Sequence, residues 1–214
     1  MDAHDTALIT AAFSLIAERG WHGLSLADAA RKAGLSPATA RAALPDRCAL
    51  LTRFGRLADQ AALEGALTEG PVRDRIFDVV MRRIDFLQSH RPGVLALLRD
   101  LPSDPASALV VTVGLRRSMR WLLDGCGIET SGLRGHLRVH GMGLIWLATV
   151  RAWREDGSED LSTTMAALDR ALSRAGQAEN TLADQLGRQN SKPDDESTGD
   201  VPMTEAELPP DTEM

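Results

Sequence analysis

Several residue types and segment types are scarce in this sequence, and each absence excludes a class of protein. Tyrosine is absent, and the aromatic residues together make up 4% of the 214 residues. The two cysteines, Cys48 and Cys126, form no CxxC pair and cannot build a disulfide framework. The longest apolar stretch, residues 142–150, is much shorter than the ~20 residues that a membrane-spanning helix needs. Because no N-terminal segment is typical of a signal peptide, we expect a soluble protein of the reducing cytoplasm.

The motifs of common enzyme and cofactor sites are missing as well. The sequence contains no GxSxG, no P-loop and no GxGxxG, which are the patterns that place a nucleophile or a phosphate on a turn. His136 and His140 have the spacing of metal ligands on one helix face, but no third ligand is evident. Cys48 and Cys126 are interpreted as small buried apolar side chains. We therefore predict a protein that is not an enzyme and that uses no metal and no cofactor.

Acidic side chains are concentrated at the C-terminal end of the chain. The formal net charge is −6, but residues 176–214 contain ten acidic and two basic residues. The rest of the chain therefore carries a small positive net charge, which does not exclude a polyanionic partner. The C-terminal segment is poor in large apolar side chains, so burial cannot offset the entropy lost on ordering it. We predict an acidic disordered tail over residues 177–214, in which a last helical turn can persist at residues 182–186.

Apolar residues recur at three- and four-residue spacing along most of the chain, which is the periodicity of an amphipathic α-helix. No stretch shows the two-residue alternation of β-branched residues that is typical of a half-buried strand. The predicted fold class is therefore all-α, with three helices in an N-terminal head followed by a larger helical domain. The predicted helices cover residues 5–19, 26–33, 37–44, a segment that begins after Asp46, and residues 72–90, 94–101, 106–123, 133–155 and 161–175.

Two of the short helices, joined by a tight turn, form a helix-turn-helix pattern. Gly34 permits the sharp reversal, and Leu35 fills the angle between the helices. Ser36 is a favourable N-cap and Pro37 suits the first helical position, so the second helix begins with its N-terminal N–H groups exposed. Such an end attracts phosphate, and a helix presented in this way fits the major groove of duplex DNA.

Three runs in this region resemble the N-terminal signature of the TetR-type transcriptional regulators. They are AERGW (residues 17–21), SLADAA (25–30) and AGLSPAT (33–39). The rest of the chain, to about residue 175, resembles the larger domain of that family in length and helix count.

The resemblance implies how the chain is organised and what it binds. It implies a helix-turn-helix DNA-binding domain (1–48), a helical effector-binding and dimerisation domain (49–176), and then the acidic tail. It implies a homodimer that binds duplex DNA at a palindromic operator and is released from it by a small apolar effector. A repressor works in this way. The last two predicted helices would form the four-helix bundle of the dimer.

The helix-turn-helix supplies the candidate DNA contacts. Thr39 and Arg41 are the predicted base readers, because a hydroxyl and a guanidinium can both reach base edges in the major groove. Arg41 stands where the family usually has an aromatic residue, and Ala43 and Leu44 also depart from the family pattern. The whole candidate set is Arg31, Lys32, Ser36, Pro37, Ala38, Thr39, Arg41 and Arg47. Within it, phosphate contacts are predicted for Arg31, Lys32, Ser36 and Arg47.

Large apolar side chains in the larger domain are candidates for the effector pocket that the resemblance implies. They are Phe77, Met81, Phe86, Trp121, Met142 and Trp146. Each of them also fits ordinary helix packing, which is the commoner role of such apolar stripes.

A resemblance to a second family leaves an alternative function open. Residues 38–45, 146–149, 156–161 and 167–170 are similar to segments of the lipid-binding accessory proteins of ubiquinone biosynthesis, which share the TetR architecture but do not bind DNA. Those proteins dock on membranes through a terminal amphipathic helix, whereas residues 190–214 here are acidic and would be repelled by anionic lipid. We therefore predict a DNA-binding regulator with no membrane partner, and the lipid-binding protein is the alternative.

Overall fold

Nine α-helices and one 3-10 turn make up the part of the chain that the structure describes, and that part contains no strand. The structure is a computed structural model that describes the backbone of residues 3–190 and the side chains of residues 4–177. The helices are α1 (Ala3–Arg19), α2 (Leu26–Lys32), α3 (Pro37–Ala43), α4 (Arg47–Leu63), α5 (Val72–Gln88), α6 (Arg91–Asp100), α7 (Pro105–Gly125), α8 (Gly132–Glu155) and α9 (Ser162–Asn190). The predicted all-α fold class is confirmed. None of the described helices combines the length and the apolar character that crossing a lipid bilayer requires.

Three predicted N-caps are confirmed at the starts of α2, α3 and α4. Ser25, Ser36 and Asp46 each precede a helix, and each side chain accepts a hydrogen bond from the backbone N–H three residues later. Each bond satisfies a helix N–H that has no acceptor within its own helix. Gly20 and Gly34 have φ values of 74° and 69°, the left-handed conformation that these two turns require.

Two helix boundaries differ from the sequence prediction by more than two residues. α6 begins at Arg91 and not at residue 94, because Pro92 lies in the first turn, where a helix tolerates proline. α9 continues to Asn190, past the predicted end at residue 175, through a segment rich in Ala, Leu and Gln, which favour helix. The backbone of residues 177–190 is therefore helical, whereas we predicted a disordered tail with at most one helical turn at residues 182–186. The rest of the predicted acidic tail, residues 191–214, lies outside the described residues.

The N-terminal helices share a core with the later ones. α1 packs on α6 at Gly93, where a Cβ atom would lie 2.3 Å from the backbone oxygen of Phe13, so no larger residue fits there. The rings of Phe13 and Phe54 stack with their centroids 3.9 Å apart, and the ring of Phe86 lies 5.2 Å from that of Phe54. Residues up to Gly176 belong to one compact unit, and the division into a head and a larger domain stays a prediction.

Trp21 fixes the turn between α1 and α2 to the region between α6 and α7. Its side chain is fully buried, its indole N–H donates to Asp104 at 2.9 Å, and its backbone N–H donates to Asp100 at 2.8 Å. Hydrogen bonds from Ser107 and from Trp21 lower the pKa of Asp104 to about 2. The region that precedes the helix-turn-helix is therefore held by polar contacts as well as by packing.

Candidate nucleic-acid interface

α3 presents predicted DNA-contacting residues on the protein surface. It is anchored by Ala40 and by Leu44 just beyond its end, which are 6% and 3% exposed. The side chains at its N-cap and on its other face are polar or small. Five of the predicted contacts lie there, and all five are exposed: Ser36, Pro37, Ala38, Thr39 and Arg41. A helix that buries one face and exposes the other can contact another molecule without leaving its own core.

The start of α3 brings two hydroxyl groups together. Ser36 Oγ and Thr39 Oγ1 lie 2.9 Å apart, and the backbone N–H of Thr39 donates to Ser36 Oγ at 3.1 Å. The capping bond uses part of the acceptor capacity of Ser36, and both hydroxyls lie on the exposed side. A hydroxyl can donate to a phosphate oxygen or exchange a hydrogen bond with a base edge.

Arg41 is the cation of α3, and among the described residues no carboxylate forms an ion pair with it. Its Nη1 donates to the backbone oxygen of Pro45 at 2.7 Å. A guanidinium has five N–H donors, so this contact leaves most of them available. Because the charge is not neutralised by a carboxylate, Arg41 can pair with a phosphate or with the O6/N7 edge of guanine.

The two cations at the end of α2 are engaged in surface ion pairs. Arg31 contacts Asp28, and Lys32 donates to Glu18 at 2.8 Å. The hydrogen bond and the charge of Lys32 lower the pKa of Glu18, and hydrogen bonds from Arg19 and Arg31 lower the pKa of Asp28. Exposed pairs of this kind contribute little stability, so a DNA phosphate can replace the carboxylate at small cost.

Arg47 differs from Arg31 and Lys32 because its partners within the protein are backbone oxygens and not exposed carboxylates. It is half-buried, and its Nη2 donates to the backbone oxygens of Leu24 at 2.5 Å and of His22 at 3.2 Å. Its guanidinium carbon lies 5.8 Å from the ring centroid of Trp21. Arg47 thus ties the first turn of α4 to the turn before α2, and a phosphate contact by this residue stays a prediction.

The six predicted effector residues are spread over α5, α7 and α8. Met142 and Trp146 are buried, and Phe77, Met81 and Phe86 are partly buried. Trp121 is 60% exposed, so it lies on the surface of α7 and not inside the protein. A shallow cleft beside the end of α3 contains none of the six and is lined by Asp5, Ala43, Pro45, Ala49, Thr52, Arg53 and Arg56. Over residues 4–177, no three His, Cys, Asp or Glu side chains lie close enough to hold a metal ion.

A buried polar cluster that includes Trp146, one of the six predicted effector residues, was not predicted from the sequence. We call Asp59, Arg83, Ser118 and Trp146 the Arg83 cluster, and its members come from α4, α5, α7 and α8. Ser118 Oγ donates to Asp59 at 2.6 Å, and Arg83 Nη1 lies 3.2 Å from Asp59 Oδ1. The guanidinium carbon of Arg83 lies 4.5 Å from the ring centroid of Trp146.

Burial acts against both charges of this cluster. The side chains of Arg83 and Asp59 are 7% and 14% exposed. Burial raises the pKa of Asp59, and the charge of Arg83 and the hydrogen bond from Ser118 only partly oppose that shift. Burial also lowers the pKa of Arg83, against the attraction of Asp59. The signal that could have revealed the site is the position of Arg83 on the apolar face of α5, beside Val79, Val80 and Ile84.

α8 carries an exposed apolar face. Four of its leucines are between 56% and 79% exposed: Leu133, Leu137, Leu144 and Leu147. Their spacings of four, seven and three residues place them along one side of the helix. An exposed apolar surface of this kind marks a protein–protein contact more often than a free surface.

Comparisons with known proteins bear on the fold. No protein-family model matches the sequence, and no curated protein matches it. Among solved structures, the chain is similar to a TetR transcriptional regulator from Nitrosomonas europaea, with a TM-score of 0.64, 20% sequence identity, and coverage of 82% of this chain and 99% of that chain.

Two further solved structures have the same arrangement of helices. A TetR transcriptional regulator from Rhodococcus sp. RHA1 has a TM-score of 0.58 at 16% identity, with 80% of this chain and 94% of that chain covered. A TetR-family transcriptional regulator from Streptomyces coelicolor has a TM-score of 0.55 at 18% identity, with 89% of this chain and 93% of that chain covered. The chain therefore has the fold of the TetR transcriptional regulators.

Proposed function

We propose that this protein is a DNA-binding transcriptional regulator, a homodimer that is released from a palindromic operator by a small apolar effector. The observation that carries the proposal is α3, a helix anchored by Ala40 and Leu44 whose exposed side presents hydroxyl groups and the cation Arg41. The proteins of similar fold are named as transcriptional regulators. In this proposal the chain acts by binding and not by catalysis.

Base reading is assigned to Thr39 and Arg41. When α3 enters the major groove, Arg41 exchanges its bond to the backbone oxygen of Pro45 for the edge of a guanine or for a phosphate. Thr39 contributes its hydroxyl and its methyl group, and the methyl group can pack on a thymine methyl. Pro37 and Ala38 set the start of the helix and allow its backbone to approach closely.

Phosphate contacts are assigned to Ser36, Arg31 and Lys32. Ser36 lies at the cap of α3, and the two cations lie at the end of α2, the preceding helix. Both cations are held by exposed ion pairs, which a phosphate can displace. Arg47 is a weaker candidate, because a phosphate contact would compete with its hydrogen bonds to two backbone oxygens.

The dimer is proposed to form through α8 together with α9. The exposed leucines of α8 supply an apolar face that a second copy of the chain can bury. A twofold dimer would place its two copies of α3 about one helical turn of DNA apart, ~34 Å, on the two half-sites of a palindrome. The effector would shift the population toward dimers in which this spacing no longer fits the operator. The comparisons do not favour the lipid-binding alternative.

A binding selection on random duplex DNA at near-physiological salt tests the proposal. Non-specific phosphate binding weakens steeply with salt, so a palindrome that is enriched under these conditions reflects sequence reading. Arg41→Ala should lower affinity for that palindrome by about 1–3 kcal/mol and relax the preference at the base pair that Arg41 contacts. The matched control is Arg117→Ala, which removes an exposed arginine from α7 and should leave the enriched sequence unchanged. Absence of an enriched palindrome with the unaltered chain would refute the proposal, and an unchanged selection with Arg41→Ala would remove Arg41 from the base-reading role.

A further inference from the structure

The shallow cleft beside the end of α3 is lined by two arginines of α4. Arg53 and Arg56 lie three residues apart, so they share one face of that helix. Ala43, the last residue of α3, and Pro45 line the cleft as well. Its volume is about 430 Å³, so a group that protrudes from a larger molecule can enter it. We call this site the basic cleft.

The residues that line the basic cleft carry a net positive charge. Arg53 contacts Asp5 of α1, which also lines the cleft. Arg56 is exposed, and among the described residues it forms no ion pair and no hydrogen bond. The hydroxyl of Thr52, another lining residue, already donates to the backbone oxygen of Cys48 at 2.9 Å. The side-chain donors that the cleft offers to a ligand are therefore those of the two guanidinium groups, and the ligand that fits them is an anion.

The basic cleft adjoins the surface of α3 that is proposed to read DNA. Arg41 of that surface donates to the backbone oxygen of Pro45 at 2.7 Å, and Pro45 lines the cleft. An α-helix with its side chains is about 10–12 Å across, close to the ~12 Å width of the major groove. Residues that flank the end of a helix in that groove therefore lie beside the sugar–phosphate backbone, which supplies an anion.

We propose that the basic cleft binds a phosphate of the DNA backbone in each half-site, and that Arg56, assisted by Arg53, holds this phosphate. Neither arginine belongs to the DNA contacts that were predicted from the sequence. The planar fork of Arg56 donates to two phosphate oxygens. Arg53 adds a second cation while one of its Nη atoms stays on Asp5. The inference rests on the proposed function, because it requires α3 to enter the major groove.

Arg56 differs from two of the phosphate contacts already assigned, because it has no ion pair to lose. Arg31 and Lys32 contact the carboxylates of Asp28 and Glu18, so a phosphate at either residue must replace an existing ion pair. Arg56 forms no such pair among the described residues, and a phosphate there replaces only water. Its contact should therefore contribute fully to the salt dependence of DNA binding.

The salt dependence of DNA binding measures the number of phosphate contacts. The logarithm of the affinity falls with the logarithm of the salt concentration, with a slope of about −0.9 for each phosphate contact on duplex DNA. A dimer has two basic clefts, so Arg56→Ala should make that slope shallower by about 1.8. The probe is a short duplex that carries the palindrome enriched in the selection, and its affinity for the full chain is measured by fluorescence anisotropy at a series of salt concentrations. An unchanged slope with Arg56→Ala would overturn the proposal.

Two further variants distinguish a phosphate contact from a structural role. Arg56→Lys keeps the cation and should retain most of the slope, since an ammonium group also pairs with a phosphate. Arg117→Ala removes an exposed arginine from α7 and should leave the slope unchanged. Arg56→Ala should enrich the same palindrome as the unaltered chain, because a phosphate contact carries no sequence information. A slope that is equally shallow with Arg56→Lys and Arg56→Ala, or a different palindrome with Arg56→Ala, would contradict the assignment.

Asp5→Asn should change DNA binding in the opposite direction. The amide has the shape of the carboxylate and can still accept a hydrogen bond from Arg53, but the net charge of the lining residues rises from one positive charge to two. Because the carboxylate of Asp5 repels a phosphate, Asp5→Asn should bind the same duplex more tightly and with a steeper slope. A variant that only loosened the fold would bind the duplex more weakly. Equal or weaker binding by Asp5→Asn would overturn the proposal that a phosphate enters the cleft.

The possible outcomes separate this inference from the proposed function. A chain that enriches a palindrome but has the same slope with and without Arg56 keeps the regulatory function and loses the phosphate contact. A chain that enriches no palindrome loses the regulatory function, and the phosphate contact with it. A shallower slope with Arg56→Ala, an unchanged palindrome and tighter binding by Asp5→Asn would together support both.

Discussion

Two aspartates of this protein, Asp156, which is buried, and Asp59, which is mostly buried, have opposite surroundings. Asp156, between α8 and α9, accepts hydrogen bonds from the backbone N–H and the hydroxyl of Ser158 and from the same two groups of Thr164, at distances of 2.5–3.0 Å. Asp59, in the Arg83 cluster, accepts one hydrogen bond, from Ser118, and its other oxygen has none. The first carboxylate is fully satisfied and the second is not.

The pKa shifts follow this difference. Hydrogen bonds from Ser158 and Thr164 lower the pKa of Asp156, whereas burial raises the pKa of Asp59. Asp156 closes a corner at which Leu161 has a φ of 55°, an uncommon conformation for a residue other than glycine that the surrounding contacts must hold. The complete network therefore favours the charged form of its carboxylate, whereas at Asp59 the effect of burial is the larger one.

The largest expected effect is a loss of stability when one of the two charges of the Arg83 cluster is removed alone. Arg83→Met leaves Asp59 buried without its counter-charge and should lower the free energy of unfolding by about 3 kcal/mol. Asp59→Leu/Arg83→Met should return it to within about 1 kcal/mol of the unaltered chain, because the pair is removed together. Urea denaturation of the three proteins measures both differences. A double variant as unstable as the single one would show that the pair is a structural requirement.

Removing the hydrogen bonds of Asp156 should lower the free energy of unfolding by somewhat less than Arg83→Met does. Asp156→Ala leaves the buried N–H and hydroxyl of Thr164 without an acceptor, and we expect a loss of about 2 kcal/mol in the free energy of unfolding. Glu159→Ala is the matched control, since it removes an exposed acid from the same loop and should change stability by less than about 0.5 kcal/mol. Equal losses in the two variants would mean that the four hydrogen bonds of Asp156 do not stabilise the α8–α9 corner.

The same contrast explains what the sequence could predict. The caps at Ser36 and Asp46 depend on residues three positions apart, so the local sequence determined the starts of α3 and α4. The Arg83 cluster joins residues separated by tens of positions, and the hydrogen bond between Asp59 and Ser118 exists only after α4 has packed on α7. Nothing in the neighbouring sequence of either residue indicates the other.

Arg47 illustrates the same limit in the candidate interface. From its position in the motif, Arg47 was predicted to contact a phosphate. In the structure, its hydrogen bonds go to backbone oxygens in the turn before α2. Every residue has a backbone carbonyl oxygen, so the sequence does not show which of them accepts a hydrogen bond from an arginine. A sequence pattern therefore cannot distinguish a cation that binds a phosphate from one that stabilises a turn. The ion pair between Lys32 and Glu18 joins two different helices and was missed for a related reason. The pair between Arg31 and Asp28 is different, because an acid and a base three residues apart on one helix can be recognised in the sequence.

The smallest effects are opposite changes in how stability depends on pH. The folded-state pKa of Asp156 is lowered, so its contribution is complete above the unfolded value of about 3.9 and is lost as the pH falls below it. The folded-state pKa of Asp59 is raised, so stability is greatest below that same value and declines as the pH rises through the folded pKa. Asp156→Asn should therefore flatten the acid side of the profile, and Asp59→Asn should flatten the decline above about pH 4.

Urea midpoints measured at a series of pH values distinguish these two changes. Because each substitution replaces a carboxylate by an amide of the same shape, the altered pH dependence reports the charge and not the packing. If both variants flatten the same side of the profile, the two aspartates have the same electrostatic surroundings in solution, and the distinction between a satisfied and an unsatisfied carboxylate fails. Opposite changes would show that the charged form is stabilised at Asp156 and disfavoured at Asp59, which is the difference that the hydrogen bonds of the two carboxylates predict.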